Sequence, residues 1–144
     1  GKKDFFFHKI EKKIHDLDIK NNIILDENPT DIGLIKLYQN SLATIIPSYM
    51  EGFSLTAVEA MSLGSLVIAS NIAVHKEICK DGAIYFNPND SYELYERLDE
   101  VASLEKPKKE EILTLAKEIS QEYSWEKMAR QTLQIYDSST NSES

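Results

Sequence analysis

Two glutamates in the stretch from Pro47 to Gly64 are spaced so that both can act on one ligand. Glu51 is followed by Gly52, which lets a ligand approach the backbone, and Ser54 is a natural N-cap for a helix. The free N–H groups and the dipole of a helix N-terminus favour a phosphate. Glu59 would lie roughly 7–8 Å further along the helix axis, at about 1.5 Å per residue. Its carboxylate could then accept from a ribose joined to the phosphate, while Glu51 faces the sugar beyond it.

The same residues also have an ordinary structural interpretation. Glutamate is common in the first turns of a helix because it complements the helix dipole. Glycine is common in strand-to-helix loops because it adopts turn conformations easily. Spacing alone therefore leaves both a phosphate site and a plain turn open.

The apolar pattern of the chain predicts strands that alternate with helices. Four short apolar runs suit buried strands, at Ile23–Leu25, Ala43–Pro47, Leu66–Ala69 and Ala83–Phe86. Helical spacing predicts helices near 4–18, from Thr30 or Asp31 to Asn40, from Leu55 to Leu63 with Gly64 as the stop, and at 91–103, 108–121 and 125–136. Ile72–Cys79 is predicted to be a turn or short helix, and Trp125 and Tyr136 to anchor the last helix in the core.

This order of elements predicts an α/β fold, with a Rossmann-like parallel sheet covered by helices on both faces. Ligands of such sheets bind at the carboxyl ends of the strands. The segment that contains Glu51 follows the strand at Ala43–Pro47, which is such a position.

Composition argues against several classes of partner. The net charge of −8 and the pI of about 4.9 disfavour nucleic acid and anionic membranes. No apolar run approaches a membrane span of about 18 residues, and no signal peptide is recognisable, so we expect a soluble, cytoplasmic protein. The single Cys79 cannot form an internal disulfide. His8, His15 and His75 lack the spacing of a metal site, so we expect no metal.

The fixed spacings of several segments resemble those of a known enzyme family. Residues 47–64 read P-S-x-x-E-G-F-x-L-x-x-x-E-A-M-x-x-G, and V-I-A-S follows at 67–70. This pattern resembles the C-terminal domain of glycosyltransferase family 4. Residues 70–77 are similar to the family's post-strand loop with its final glutamate, 83–88 to its A-x-x-F-x-P turn, and 123–126 to its F-S-W-E signature. The resemblance extends from about Ile24 to Tyr136.

The resemblance implies roles for individual residues. Glu51 matches the first glutamate of the family's E-x7-E motif, which contacts the donor sugar and has been proposed to assist catalysis, and Glu59 matches its ribose-binding glutamate. Glu77 either contacts the donor sugar or caps its own short helix. The backbone amides of the connecting loop would hold the sugar and the diphosphate, at Gly52, Phe53, Ser54 and Leu55. The family often has glycine where Ser54 stands and proline where Thr56 stands, and Ser54 adds a side chain near the sugar.

The resemblance also implies a reaction and its partners. A retaining enzyme of GT-B architecture would transfer a sugar from a UDP-, GDP- or ADP-sugar to a saccharide or lipid-linked acceptor, without a cofactor or metal, in surface polysaccharide or glycoconjugate synthesis. The full-length protein would be cytoplasmic or peripheral to the inner face of the membrane. A catalytically silent nucleotide-sugar-binding module and a sugar-nucleotide epimerase on the same architecture remain alternatives.

Residues 1–137 would form the C-terminal, nucleotide-sugar-binding Rossmann-like domain, and 138–144 a disordered tail. The domain would lack its first strand, with the family's arginine and lysine, and the N-terminal Rossmann domain that supplies the acceptor site. We therefore expect this polypeptide to be inactive alone.

Overall fold

The first compact unit of the chain is mainly helical. The computed structural model describes residues 6–140, which divide into two units between Lys36 and Leu37. Helix α1 spans Phe7–Asp16, a 3₁₀ turn spans Lys20–Asn22, and helix α2 begins at Asp31 and ends at Asn40 in the second unit. The predicted helix near 4–18 is confirmed over its described part, while residues 4 and 5 lie outside the described residues.

The predicted strand at Ile23–Leu25 is wrong. Ile23 has extended backbone angles, but the segment pairs with no strand within residues 6–140. The side chain of Ile24 is 94% exposed. An apolar run becomes a strand only when a neighbour takes up its N–H and C=O groups, and local periodicity carries no information about that neighbour.

The second unit is built on a parallel sheet of three short strands. Strand β1 is Thr44–Ile46, β2 is Val67–Ser70 and β3 is Ile84–Phe86, in the order β1-β2-β3. Both strand pairs are parallel. All four residues of the central strand β2 are buried, as expected of a parallel strand covered on both faces. The three strands predicted in this part of the chain are confirmed.

Helices connect and cover these strands. They are α3 (Leu55–Ser62), α4 (Ala73–Cys79), α5 (Ser91–Ser103), α6 (Lys106–Ser120) and α7 (Trp125–Thr140). Gly64 follows α3 with a φ of +79°, so the predicted glycine stop is confirmed. The Asp90 carboxylate accepts from the backbone N–H groups of Tyr92 and Glu93 and so caps α5.

The core lies where the helices meet the sheet. Leu66, Ile68 and Phe86 pack with Val101 of α5. Helix α3 contacts β1 and β2 and buries small residues and one methionine, at Ala57, Ala60 and Met61. Small side chains let α3 approach the strands closely. The result is a Rossmann-like α/β layer in which helices flank the parallel sheet.

The C-terminal end of α4 has an unusual backbone. Lys80 has φ 47° and ψ −127°, a conformation that glycine adopts far more readily. The Tyr85 hydroxyl donates to the carbonyl oxygens of His75 and Lys80, at 3.2 and 2.6 Å. The Lys80 ammonium donates to both carboxylate oxygens of Glu122, at 2.7 and 2.6 Å. Together these contacts hold the chain in this turn before it enters β3.

The predicted anchoring of α7 by its aromatic residues is wrong. Trp125 and Tyr136 are 72% and 64% exposed. The helix is amphipathic, but within residues 6–140 its apolar stripe packs into no core. It runs to Thr140 and so includes the first three residues of the segment predicted as a tail, while 141–144 lie outside the described residues. Within the described chain, every helix is too short or too polar to cross a membrane.

Candidate functional site

The candidate site lies at the carboxyl edge of the sheet. The loop of residues 47–54 leaves β1 and enters α3, and Ser70 is the last residue of β2. Because the strands are parallel, both segments emerge at the same edge of the sheet. Sequence and topology therefore place Glu51 where open α/β sheets bind their ligands.

Two side chains face the carboxylate of Glu51. The Ser48 hydroxyl donates to Glu51 Oε1 at 2.5 Å. The Nε2 atom of His75 lies 3.6 Å from Glu51 Oε2. The Glu51 side chain remains 22% exposed, so a ligand in the loop can still reach the carboxylate.

These neighbours also set the ionisation of Glu51. Burial by itself raises the pKa of this carboxyl, but the hydroxyl dipoles of Ser48 and Ser54 and the attraction of His75 outweigh burial. The net pKa of Glu51 is therefore below its ordinary value. At neutral pH Glu51 is an anion that can accept hydrogen bonds from hydroxyl groups.

Sequence reasoning missed His75, which it weighed only as a metal ligand. The His75 side chain is completely buried. Its Nδ1 atom lies 2.9 Å from the Ser70 carbonyl oxygen and 3.0 Å from the Ser70 hydroxyl oxygen. The Ser70 hydroxyl in turn donates to the Ser48 carbonyl oxygen at 2.5 Å. A closed ring of polar contacts thus links Ser48, Glu51, His75 and Ser70.

Ser54 is the N-cap residue of α3, but its side chain does not cap the helix. The Ser54 carbonyl oxygen accepts from the N–H groups of Ala57 and Val58, whereas its hydroxyl makes no capping bond. That hydroxyl is buried and makes no hydrogen bond within the described part of the chain, although its dipole helps to lower the pKa of Glu51. The first-turn amides of α3 are therefore not taken up by a cap side chain, which favours their use by an anion.

In the rest of the loop, Gly52 has open space beside it and Phe53 packs against another part of the chain. A Cβ built on Gly52 would meet no atom of residues 6–140 within 4 Å, so a ligand can approach this backbone. The Phe53 ring packs edge-on against Tyr123, with ring centroids 5.6 Å apart. Leu55 is about half exposed. The aromatic contact joins the site loop to the turn before α7.

Glu59 lies on α3 with an exposed side chain. The phenol of Tyr38, which is 8% exposed, is its neighbour from the end of α2. Burial raises the pKa of Tyr38, and the charge of Glu59 and a hydrogen bond to its carboxylate raise it further. Tyr38 therefore stays a neutral donor that orients Glu59. The sequence showed only that Tyr38 shares a helix face with apolar residues.

Glu77 does not cap its own helix. The N-cap of α4 is Ile72, with no capping side chain, and Glu77 lies in the last turn with an exposed side chain. Its carbonyl oxygen is 3.5 Å from the Tyr123 hydroxyl. Of the two roles predicted for Glu77, the structure leaves contact with a ligand as the one to test.

The remaining candidate chemistry is weak. Cys79 is fully buried, and burial together with the nearby Glu51 charge raises the pKa of its thiol to about 11. The thiol is therefore neutral and inert at physiological pH. Within residues 6–140, no three His, Cys, Asp or Glu side chains cluster as they would around a metal ion.

Comparison with known proteins defines the class. Residues 6–131 match the family described as glycosyl transferases group 1. The chain is 32% identical to the O-antigen chain mannosyltransferase RfbU of Salmonella typhimurium over 90 residues, which cover 62% of this chain and 25% of that protein. It is 33% identical to O-antigen chain mannosyltransferase B of Escherichia coli over 108 residues, covering 74% of this chain and 28% of that protein.

The fold also matches a solved enzyme structure. Sucrose-phosphate synthase from Thermosynechococcus elongatus superposes with a TM-score of 0.84 at 22% identity, covering 99% of this chain and 38% of that one. This likeness confirms the predicted α/β fold as one half of a GT-B architecture.

The chain belongs to the glycosyl transferases group 1 family. It spans about a quarter of the length of these two curated relatives.

Proposed function

We propose that this chain is the donor-binding domain of a retaining glycosyltransferase that transfers a hexose from a nucleotide-diphosphate sugar. One observation carries the proposal: among the described residues no side chain caps the N-terminus of α3, a helix that begins just after the loop with Glu51 and carries Glu59 in its second turn. An anion-binding helix end between two hydroxyl-accepting carboxylates suits a diphosphate with a sugar at each end.

The geometry supports a division of labour along the donor. The diphosphate would lie on the first-turn amides of α3 and against the open face of Gly52. Glu59, oriented by Tyr38, would accept from the ribose. Glu51 would accept from the transferred sugar, and Glu77 would approach the same sugar from α4.

Relatives suggest the substrates. The two bacterial proteins above are O-antigen chain mannosyltransferases, so we extend the proposal to a mannosyl donor and to a saccharide or lipid-linked acceptor in surface polysaccharide synthesis. We propose that transfer needs no cofactor or metal. The longer protein would work at the cytoplasmic side of the membrane, and its N-terminal Rossmann domain would supply the acceptor site.

Calorimetric titration with UDP, GDP, ADP and their sugar conjugates tests the donor site. We expect one nucleotide to bind selectively, and Glu59→Ala to weaken it by about 1.5–3 kcal/mol because the ribose loses a charged acceptor. Glu96→Ala, which removes an exposed carboxylate from α5, is the matched control. Equal affinity in wild type and Glu59→Ala would remove Glu59 from the site.

Glu51→Gln tests the sugar end. We expect it to leave the affinity for the free nucleotide within about twofold and to reduce either affinity for the sugar conjugate or turnover by about tenfold or more. If the free nucleotide and the conjugate lose affinity equally, the division of labour is wrong. Donor binding without turnover in the full-length protein would instead indicate a silent binding module.

A further inference from the structure

The His75 ring is buried beside the sugar end of the proposed site, yet one of its nitrogens has no hydrogen-bond partner within residues 6–140. The side chain is 0% exposed, and its Nε2 atom makes no hydrogen bond to any residue that the structure describes. Buried polar groups in native proteins are nearly always paired, so an orphaned ring nitrogen requires an explanation. The atom that faces it is Glu51 Oε2, at 3.6 Å.

The partners of the other ring nitrogen determine where one proton lies. The Ser70 carbonyl oxygen, 2.9 Å from Nδ1, can only accept. The Ser70 hydroxyl uses its hydrogen on the Ser48 carbonyl oxygen, so toward Nδ1 it also acts as an acceptor. Nδ1 therefore carries a hydrogen.

A second proton is then required between the ring and Glu51. A neutral ring with its hydrogen on Nδ1 would point the Nε2 lone pair at a carboxylate, and the two electron-rich groups would repel each other. A proton held between Nε2 and Oε2 removes this repulsion and joins the two side chains in a charge-assisted hydrogen bond. A small movement of the loop would shorten the 3.6 Å separation to ordinary hydrogen-bond length.

We propose that His75 is a positioning residue for Glu51: anchored to the end of β2 through Ser70, it shares a proton with the Glu51 carboxylate and fixes its orientation toward the donor sugar. His75 cannot touch the sugar itself because it is fully buried, whereas the Glu51 side chain is 22% exposed. Ser48 holds Oε1 and His75 holds Oε2, so rotation of the carboxylate is restricted from both sides. The inference rests on the proposed function only for its last step, the contact between Glu51 and the sugar.

The proton between the two side chains can be tested without any ligand. We expect the ¹⁵N NMR signal of His75 Nε2 in this chain to shift toward that of an unprotonated nitrogen in Glu51→Gln, while the Nδ1 signal stays that of a protonated nitrogen. The ring signals of His15, whose side chain is 90% exposed, are the internal control. Unchanged His75 signals in Glu51→Gln would overturn the proposal, whatever the donor titrations show.

Two isosteric variants separate the contributions of the two ring nitrogens of His75. His75→Gln places an amide near the position of Nε2, and His75→Asn places one near Nδ1. In the intact transferase with its sugar nucleotide, we expect His75→Gln to keep kcat within about threefold and His75→Asn to lose about tenfold or more, with the affinity for free UDP, GDP or ADP unchanged in both. His15→Gln is the matched control.

The outcomes distinguish this inference from the proposed function. Equal turnover in His75→Asn and wild type, or equal losses in both isosteric variants, would reduce His75 to a packing residue. Two results together would refute the donor site and leave the pairing of His75 with Glu51 standing. They are a change in the His75 signals on Glu51→Gln, and no binding of any of the sugar nucleotides by the intact wild-type protein. If His75→Asn does not fold, the Glu51→Gln spectrum alone decides.

Discussion

Glu51 is kept ionised mainly by hydroxyl groups. Its pKa is lowered although burial opposes ionisation, because the dipoles of Ser48 and Ser54 and the ring of His75 act on it. The hydroxyl groups of Ser48 and Ser54 act on the carboxylate as dipoles and carry no net charge of their own. A carboxylate prepared in this way keeps acceptor capacity for the hydroxyl groups of a ligand.

Ser48→Ala tests this balance. The variant should raise the pKa of Glu51 toward its ordinary value, because it removes the hydrogen bond to Oε1. A lowered pKa contributes stability that is present above the pKa of the unfolded chain and is lost as pH falls through the folded value. Ser48→Ala should therefore be less stable at neutral pH and lose less on acidification. Site-specific ¹³C titration of the Glu51 carboxyl measures the pKa.

Ser138→Ala is the control for that titration, since Ser138 is exposed on α7 and donates only to the Ile135 carbonyl oxygen. A Glu51 carboxyl that titrates identically in Ser48→Ala and wild type would show that Ser48 does not set its ionisation.

At the level of elements, packing between the turn after α4 and helix α6 leaves no space at Gly82. A Cβ built there would lie 2.9 Å from the Ala116 Cα and 3.1 Å from Ile119 Cδ1. Because the nearest atom belongs to the backbone of α6, it cannot move aside as a flexible side chain could. Helix α6 must shift if this glycine is replaced.

Gly82→Ala should therefore reduce the free energy of unfolding by about 1–3 kcal/mol. Gly52→Ala is the contrast, because a Cβ at Gly52 meets nothing within 4 Å. We expect it to leave stability unchanged within about 0.5 kcal/mol while weakening nucleotide binding. Urea unfolding of the two variants measures the difference, and equal stabilities would contradict the steric argument.

The sequence predicted most elements of the second unit because each has a local signal. Gly64 marks the end of α3, and apolar runs mark the three strands. The strand at Ile23–Leu25 was wrong because pairing depends on a neighbour that no local pattern reveals. The anchoring of α7 by Trp125 was wrong because amphipathicity predicts an apolar face and says nothing about its partner.

Some residues of the candidate site could be predicted from the sequence, and others could be found only from the structure. Loop residues such as Glu51 and Gly52 were predicted from spacing within one segment together with the resemblance of that segment to a known family. His75 and Ser70 join the site only because the end of β2 and helix α4 return to the loop after β1. Tyr38 lies on α2 and its neighbour Glu59 lies on α3. No residue spacing encodes these contacts, which arise from the topology of the parallel sheet.

For the molecule as a whole, buried neutral acids make stability sensitive to high pH. The pKa of Cys79 is raised from 9.0 to about 11, chiefly by burial. Burial, with the charges of Cys79 and Asp81, also raises the pKa of Tyr85. Both groups remain protonated in the folded chain at a pH where the unfolded chain has already released their protons.

The free energy of unfolding should therefore fall as pH rises from 9.0 to about 11, because the unfolded chain loses the Cys79 proton first. In Cys79→Ala this alkaline loss should be smaller, even if the variant is less stable at neutral pH. Denaturant unfolding at neutral pH and at pH about 10 gives the change in the free energy of unfolding of each protein over this pH range. Because the charge of Cys79 also raises the pKa of Tyr85, the difference between the two proteins reports the thiol together with its effect on that phenol. An equal change in wild type and Cys79→Ala would show that Cys79 does not titrate in this way.

The strand order has one further consequence, for the rate at which backbone amides exchange with solvent. Strand β2 is paired on both sides, whereas β1 pairs only with β2 among the described residues. Amides of β2 should be the slowest to exchange, and those on the free side of β1 much faster. The loop with Glu51 thus extends from an edge strand of the described sheet, while Ser70 ends the strand that is paired on both sides. A ligand that joins them should slow exchange in β1 far more than in β2.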